Sequence, residues 1–206
     1  MIYEARTYRT ARGKVPEFIK LFGDGYKTRS KVSQMSGLLY TEIGELNQVC
    51  HIWPYEDIAD RERCRVEGNK DPNWPPKVSH LLENMVSEIF NPLAFTPTMQ
   101  TGNLGPIYEW REYMLKPGLA GELIKRWEPA IEARMKLSPL AIAMITEGGM
   151  LNKFVHIWPY ESLEHRSQVR AEAAAKGIWP PKGDGPDPIV AQANKIMLPA
   201  SYSPMQ

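Results

Sequence analysis

The sequence predicts an α+β fold made of two tandem ferredoxin-like (βαββαβ) units packed sheet to sheet. Three observations predict it. The string HIWPYE occurs at residues 51–56 and again at 156–161, 105 residues apart. The same offset aligns Tyr3–Lys77 with Tyr108–Lys182 without a gap, and 29 of those 75 positions are identical. Within each unit the periodicities run strand, helix, strand, strand, helix, strand. A split βαβ unit carries its helices on one face of the sheet and leaves the other face bare. Two copies in one chain can cover each other. The first unit is expected over residues 1–100 and the second over 106–206, joined by the Thr-, Gly-, Asn- and Pro-containing stretch 96–106.

Each element of the first unit has its own signal. Residues 2–8 alternate and contain β formers, which gives a first strand. Gly13 and Pro16 open a helix whose apolar positions Val15, Phe18, Ile19 and Phe22 fall on one face. Gly37 precedes a second strand near 38–43, and Gly44–Asn47 turn the chain. A third strand runs from Gln48 to Trp53 and is expected to stop at Pro54. Asp57 caps a second helix over 58–67, which ends at Gly68. A third helical stretch is read through Val78, Leu81, Leu82 and Met85, followed by a last strand near 86–91. The repeat carries all of this into the second unit.

The totals exclude several classes of function. The chain has 206 residues, a net charge of +1, 43% hydrophobic and 24% charged residues. That is ordinary for a globular protein. The balanced charge argues against nucleic acid, which needs a basic face. No apolar run approaches the roughly 20 residues that span a bilayer. The N-terminal MIYEARTYR has no signal-peptide core, so a cytoplasmic location is expected. Cys50 and Cys64 have neither CxxC nor zinc spacing and read as reduced core residues.

Strand alternation places candidate functional residues on shared faces. Glu4, Arg6 and Tyr8 share one face of the first strand and recur as Glu109, Arg111 and Tyr113. Asn47, His51, Trp53 and Tyr55 share one face of the third strand and recur as Asn152, His156, Trp158 and Tyr160. The opposite face, with Ala5, Cys50 and Ile52, fits packing against helices. The polar and aromatic face is therefore expected to point into the interior between the two sheets. Two readings of it stay open. In one, Glu4–Arg6 and its copy are buried ion pairs and His51 and His156 are satisfied core residues. In the other, the same groups line a pocket for a small molecule.

In the pocket reading His51, and His156 after it, is the acid–base candidate because imidazole titrates near neutral pH. Arg6 and Arg111 can hold a carboxylate or an enolate oxygen. Tyr8, Tyr113, Tyr55 and Tyr160 can donate to an oxyanion. Trp53 and Trp158 form walls, with Glu4 and Glu109 completing the set. No metal is expected, since nothing resembles HExxH or a clustered His/Asp spacing. No GxGxxG or Walker loop calls for a nucleotide, and no GxSxG elbow is present. Glu42 and Glu147 lie near strand ends, and His80 and His165 have no counterpart in the other unit and read as surface residues. Arg61, Arg63 and Arg65 on the second helix offer the alternative of a protein-contact face.

The YExRxY start, the TEIGELNQVCHIWPYEDIADRERCR stretch at 41–65 and the WPPK at 74–77 resemble the NIPSNAP family. The second copy, TEGGMLNKFVHIWPYESLEHRSQVR, is the weaker match, which points to the first unit as keeper of the better site. The resemblance covers nearly the whole chain. It implies a dimeric α+β barrel, here intramolecular, with association into a homo-oligomer left open. The wider superfamily includes cofactor-free monooxygenases, lyases and isomerases as well as haem enzymes. With the residues read above, the expectation is a small, partly aromatic or carboxylated ligand, no cofactor, and no nucleic-acid or membrane partner. A non-catalytic binding or interaction module is the alternative.

Overall fold

The computed structural model describes residues 1–97 and 101–206. Each unit has the predicted order. The first contains β1 (Ile2–Thr10), α1 (Val15–Arg29), β2 (Gly37–Ile43), β3 (Gln48–Tyr55), α2 (Ile58–Gly68) and β4 (Leu82–Pro92). The second contains β5 (Ile107–Leu115), α3 (Ala120–Met135), β6 (Ile142–Gly148), β7 (Lys153–Tyr160), α4 (Leu163–Ala175) and β8 (Ile189–Pro199). The eight strands close into one barrel in the order β1-β3-β2-β8-β5-β7-β6-β4. β2 pairs antiparallel with β8, and β4 with β6, so the edges of the two sheets are hydrogen-bonded across the unit boundary. The fold is the predicted intramolecular α+β barrel, with every described strand paired on both sides.

Local chemistry accounts for the elements. Pro16 sits in the first turn of α1, where its missing N–H costs nothing. The Asp57 side chain accepts from the Asp60 N–H at 2.8 Å and Ser162 from the His165 N–H at 3.0 Å, capping α2 and α4. The two β-hairpins turn at Asn47 (φ 62°) and Asn152 (φ 58°), a left-handed conformation that asparagine tolerates. Their carbonyls accept from Thr10 and Leu115 at 2.8 Å. The recurrence of Asn47 as Asn152 is thus a turn requirement and not a contribution to a site.

Three boundaries differ from expectation. β3 continues through Pro54 to Tyr55, because its neighbour β2 begins, at Gly37, opposite Ile52 and asks for no N–H beyond it. The expected helix through Val78–Met85 is a single turn at Ser79–Leu81, after which Leu82 and Met85 belong to β4. The predicted linker 96–106 includes residues 98–100, which lie outside the described residues. Within its described part, Gly102–Gly105 bonds to Pro204 and Gln206, and Met205 is buried in the barrel core.

The layer assignment of the faces is reversed. Tyr3, Ala5, Cys50 and Ile52 point into the barrel, where they meet Tyr108, Trp110, Val155 and Ile157. Tyr8, Trp53 and Tyr55 pack beneath α1 with Phe18 and Phe22, and Tyr113, Trp158 and Tyr160 beneath α3 with Leu123, Trp127 and Ile131. An eight-stranded barrel is just wide enough to be filled by its own side chains. The charges that do share this inner face, Glu88, Glu112, Lys153 and Lys195, pair with one another around a cavity of about 560 Å³. Under the helices, the side chains of Arg6 and Arg61 keep 22% and 19% of their exposure.

Candidate functional site

The reversal converts one expected interior into two separate cavities, one per unit, each between sheet and helices. The first, of about 280 Å³, is lined by Glu4, Arg6, Tyr8, His51, Trp53 and Tyr55. Strand register builds it: Glu4 lies opposite Trp53 and Arg6 opposite His51 on β3, with Ser87 beside Arg6 on β4. The second, of about 290 Å³, gathers Glu109, Arg111, Tyr113, His156, Trp158 and Tyr160 in the same way.

Glu4 is fully buried. One of its oxygens, Oε1, accepts from Arg61 at 2.6 Å, Ser87 at 2.6 Å and Arg6 at 2.8 Å. Burial pushes this carboxyl up, but the bonds from Arg61 and Ser87 and the charge of Arg6 outweigh it and bring it down to about 2. Glu109 repeats the arrangement, with Arg166 at 2.6 Å, Arg111 at 2.8 Å and Asn194 at 2.9 Å, and is likewise lowered to about 2. Arg61 therefore points inward to Glu4 and is not part of an outer contact face. Arg65 lines the first cavity, and only Arg63 of the three is exposed, paired with Asp60.

The histidine environment fixes its protonation. The Trp53 indole N–H donates to His51 Nδ1 at 2.6 Å. An indole can only donate, so Nδ1 carries no proton and Nε2 does. That Nε2–H donates to the Tyr8 hydroxyl at 3.1 Å. Burial, reinforced by Arg6, lowers His51 to about 3. Trp158 fixes His156 identically at 2.6 Å, but the Tyr113 hydroxyl turns to Arg111 Nε at 3.1 Å and leaves His156 Nε2 without a partner. The expected role of either histidine as a base does not match this geometry, because the basic nitrogen is occupied.

Sequence reasoning missed two arginines, one from the first helix of each unit. Arg29 stacks 4.5 Å over Trp53 and donates to Ser33 Oγ at 2.7 Å and to the Tyr55 hydroxyl at 3.3 Å. Arg134 stacks 4.1 Å over Trp158 and donates to Ser138 Oγ and the Tyr160 hydroxyl, each at 2.9 Å. Trp74 and Trp179 close the two cavities from the loop after the second helix. Each of these pairs is related by the 105-residue offset, so identity between the copies was the available signal. Glu42 and Glu147 are exposed and outside both cavities, as is His80. Among the described residues no group of His, Cys, Asp and Glu could hold a metal, and no helix is long and apolar enough to cross a membrane.

The NIPSNAP family model matches residues 3–97 and again 108–204, one match per unit. The chain belongs to the NIPSNAP family. Among its relatives, a Protein NipSnap homolog from Dictyostelium discoideum is 29% identical over 182 residues, covering 86% of this chain and 78% of that one. Human Protein NipSnap homolog 3A is 28% identical over 218 residues, covering 100% and 86%. The solved "Putative monooxygenase" from Fusobacterium nucleatum shares 11% identity over 97% of this chain and 92% of that chain, with a TM-score of 0.65. At that identity the likeness is one of fold.

Proposed function

We propose that the first cavity binds a small carboxylate with an aromatic or otherwise planar body and stabilises negative charge on a neighbouring oxygen. The charge balance of the cavity supports this reading. Arg6, Arg29 and Arg65 line it, and Glu4 is the one carboxylate among the lining residues. Glu4 already serves Arg6 and Arg61, while Arg29 meets hydroxyls and indole faces. Guanidinium groups hold carboxylates in a planar fork, and Phe22, Trp53 and Trp74 give the flat walls that a planar body needs.

The cavity is rich in donors and poor in bases. Glu4 is held near 2 and His51 near 3. The role this leaves for His51 is to fix Tyr8 by donating to its oxygen, which frees the Tyr8 proton for a developing oxyanion. Such a site favours a ligand that ionises readily, an enol or a phenol. Cofactor-free isomerisation and direct reaction of the anion with oxygen both start from that species. The name of the F. nucleatum neighbour agrees with the second, by fold analogy alone.

Phenylpyruvate, an enolisable aromatic carboxylate, tests the reading. Calorimetry should show it binding at least about tenfold, or about 1.4 kcal/mol, more tightly than its uncharged methyl ester. With Tyr8 stabilising the enolate oxygen and a solvent molecule taking the benzylic proton, the protein should accelerate exchange of these protons for deuterium in D2O, and Tyr8→Phe should slow that exchange by about 10²-fold while binding persists. Equal affinity for acid and ester would sink the anion site. Undiminished exchange in Tyr8→Phe would remove Tyr8 from the chemistry.

A further inference from the structure

We propose that the second cavity is a separate site for a compact, polar carboxylate, such as a small dicarboxylate, with the His156 Nε2–H as one of its donors. The proposal rests on the reading that these donor-rich cavities hold anions. It adds that the two copies have diverged in what they hold.

The first observation is the unpartnered donor. His156 is 1% exposed and lines the cavity. Its Nδ1 accepts from Trp158, so Nε2 carries the proton, and among the described residues that N–H has no acceptor. A buried donor left in this way is destabilising until something accepts from it. The same atom in the first unit is satisfied internally by Tyr8. In the second, the equivalent Tyr113 is engaged by Arg111. An oxygen of a bound anion can supply the missing acceptor.

The second observation is the exchange of lining residues. Where the first cavity has Met85 on β4, the second has Gln192 at the corresponding place on β8. Val78 and Leu82 line the first cavity; of their counterparts, Gly183 does not line the second and Ile189 is displaced into an adjoining cleft of about 80 Å³ beyond Tyr113, Trp179, Pro180 and Gln192. Trp127 stands where the first unit has Phe22, packed edge-on to His156 at 4.8 Å, and unlike Phe22 it does not line the cavity. The apolar side that suits an aromatic body is thus reduced, and an amide donor is added. The cationic groups are retained: Arg111, Arg134 and Arg170 line the cavity against Glu109 alone. Arg134 itself is buried and bonded only to hydroxyls. Several converging donors beside a reduced apolar wall, with Trp158 and Trp179 retained, fit a small ligand with oxygens at both ends.

The test uses the full chain labelled with 15N, malonate as the probe, and the imidazole Nε2–H signals at neutral pH. Malonate should move the His156 signal and leave the His51 signal in place, whereas phenylpyruvate should do the reverse. Gln192→Met, which installs the first cavity's residue, should weaken malonate about tenfold. His156 is assigned from the spectrum of His156→Gln or, should that variant not fold, through the Trp158 indole N–H bonded to it. A malonate titration that leaves His156 unmoved overturns the proposal. So does one that moves both histidines equally, or an affinity unchanged in Gln192→Met. The two readings fail separately: phenylpyruvate without effect on His51 removes the first-cavity assignment, while a malonate response at His156 still stands.

Discussion

Glu4→Ala is expected to destabilise the protein by about 3 kcal/mol, the low end of the range for breaking a buried ion pair. Three donors converge on a single oxygen of this carboxylate, which is 1% exposed, and the change leaves Arg6 and Arg61 with no anion. The low end applies because both guanidinium groups retain about a fifth of their exposure and can recover some hydration. For a chain of this size that corresponds to a fall in melting temperature of about 6–12 °C. Glu4→Gln keeps an acceptor oxygen and should lose less than Glu4→Ala. Glu109→Ala should cost a similar amount, and the double change should be additive, because the two carboxylates share no partner. Urea unfolding of the four variants measures all of this. A loss below about 1 kcal/mol for Glu4→Ala would mean that the arginines relax into solvent and that the carboxylate does not organise the cavity.

The second large effect is an early loss of stability in acid. His51 is neutral in the folded state with its pKa lowered to about 3, and His156 is lowered in the same direction by the same burial. In the unfolded chain both take up protons near pH 6.5. Below that pH the unfolded state binds more protons than the folded one, so stability falls as pH falls. The slope should approach about 1.4 kcal/mol per pH unit for each histidine, or about twice that for the pair. Below about pH 4.5 the unfolded-state carboxyls join in, because Glu4 and Glu109 stay ionised down to about 2 when folded. Urea midpoints taken at half-unit steps from pH 8 to 5 should therefore be flat at first and then drop. His51→Gln should remove about half of the slope. A flat profile down to pH 5 would show that both buried imidazoles accept a proton without cost, contrary to the Trp53 and Trp158 bonds.

The fold was legible because duplication doubles every weak signal. A single YExRxY strand says little, but two at the same offset from HIWPYE fix the order of elements. What the sequence carried less well was depth. Alternation tells which side chains share a face, and both assignments of faces to layers satisfy it equally. Ala5, Cys50 and Ile52 look like residues for helix packing, yet the barrel interior is the tighter space and takes them together with Trp110. The helices held a corrective hint. Phe18 and Phe22 on α1 are aromatic partners for Tyr8 and His51, which they contact at ring distances of 5.1 and 4.9 Å. Arg29 escaped notice because an arginine near a helix end usually reads as a solvated, dipole-favoured cation. Its burial depends on Trp53 and Tyr55, which come from a strand 24 residues further along the chain.

The pairing of β2 with β8 and of β4 with β6 has a consequence for assembly. Cut between its units, the chain would yield two pieces, each with two raw strand edges and an uncovered patch around Tyr3 or Tyr108. Such edges recruit whatever strand is nearest. For a free half, that is another copy of itself, and its chance of closing would fall with every dilution. The intact chain removes that dependence. Its second half is always present at an effective concentration of about millimolar, set by the tether and not by the amount of protein in solution. Closure is then a unimolecular event, and the barrel persists at concentrations where a pair of separate halves would come apart.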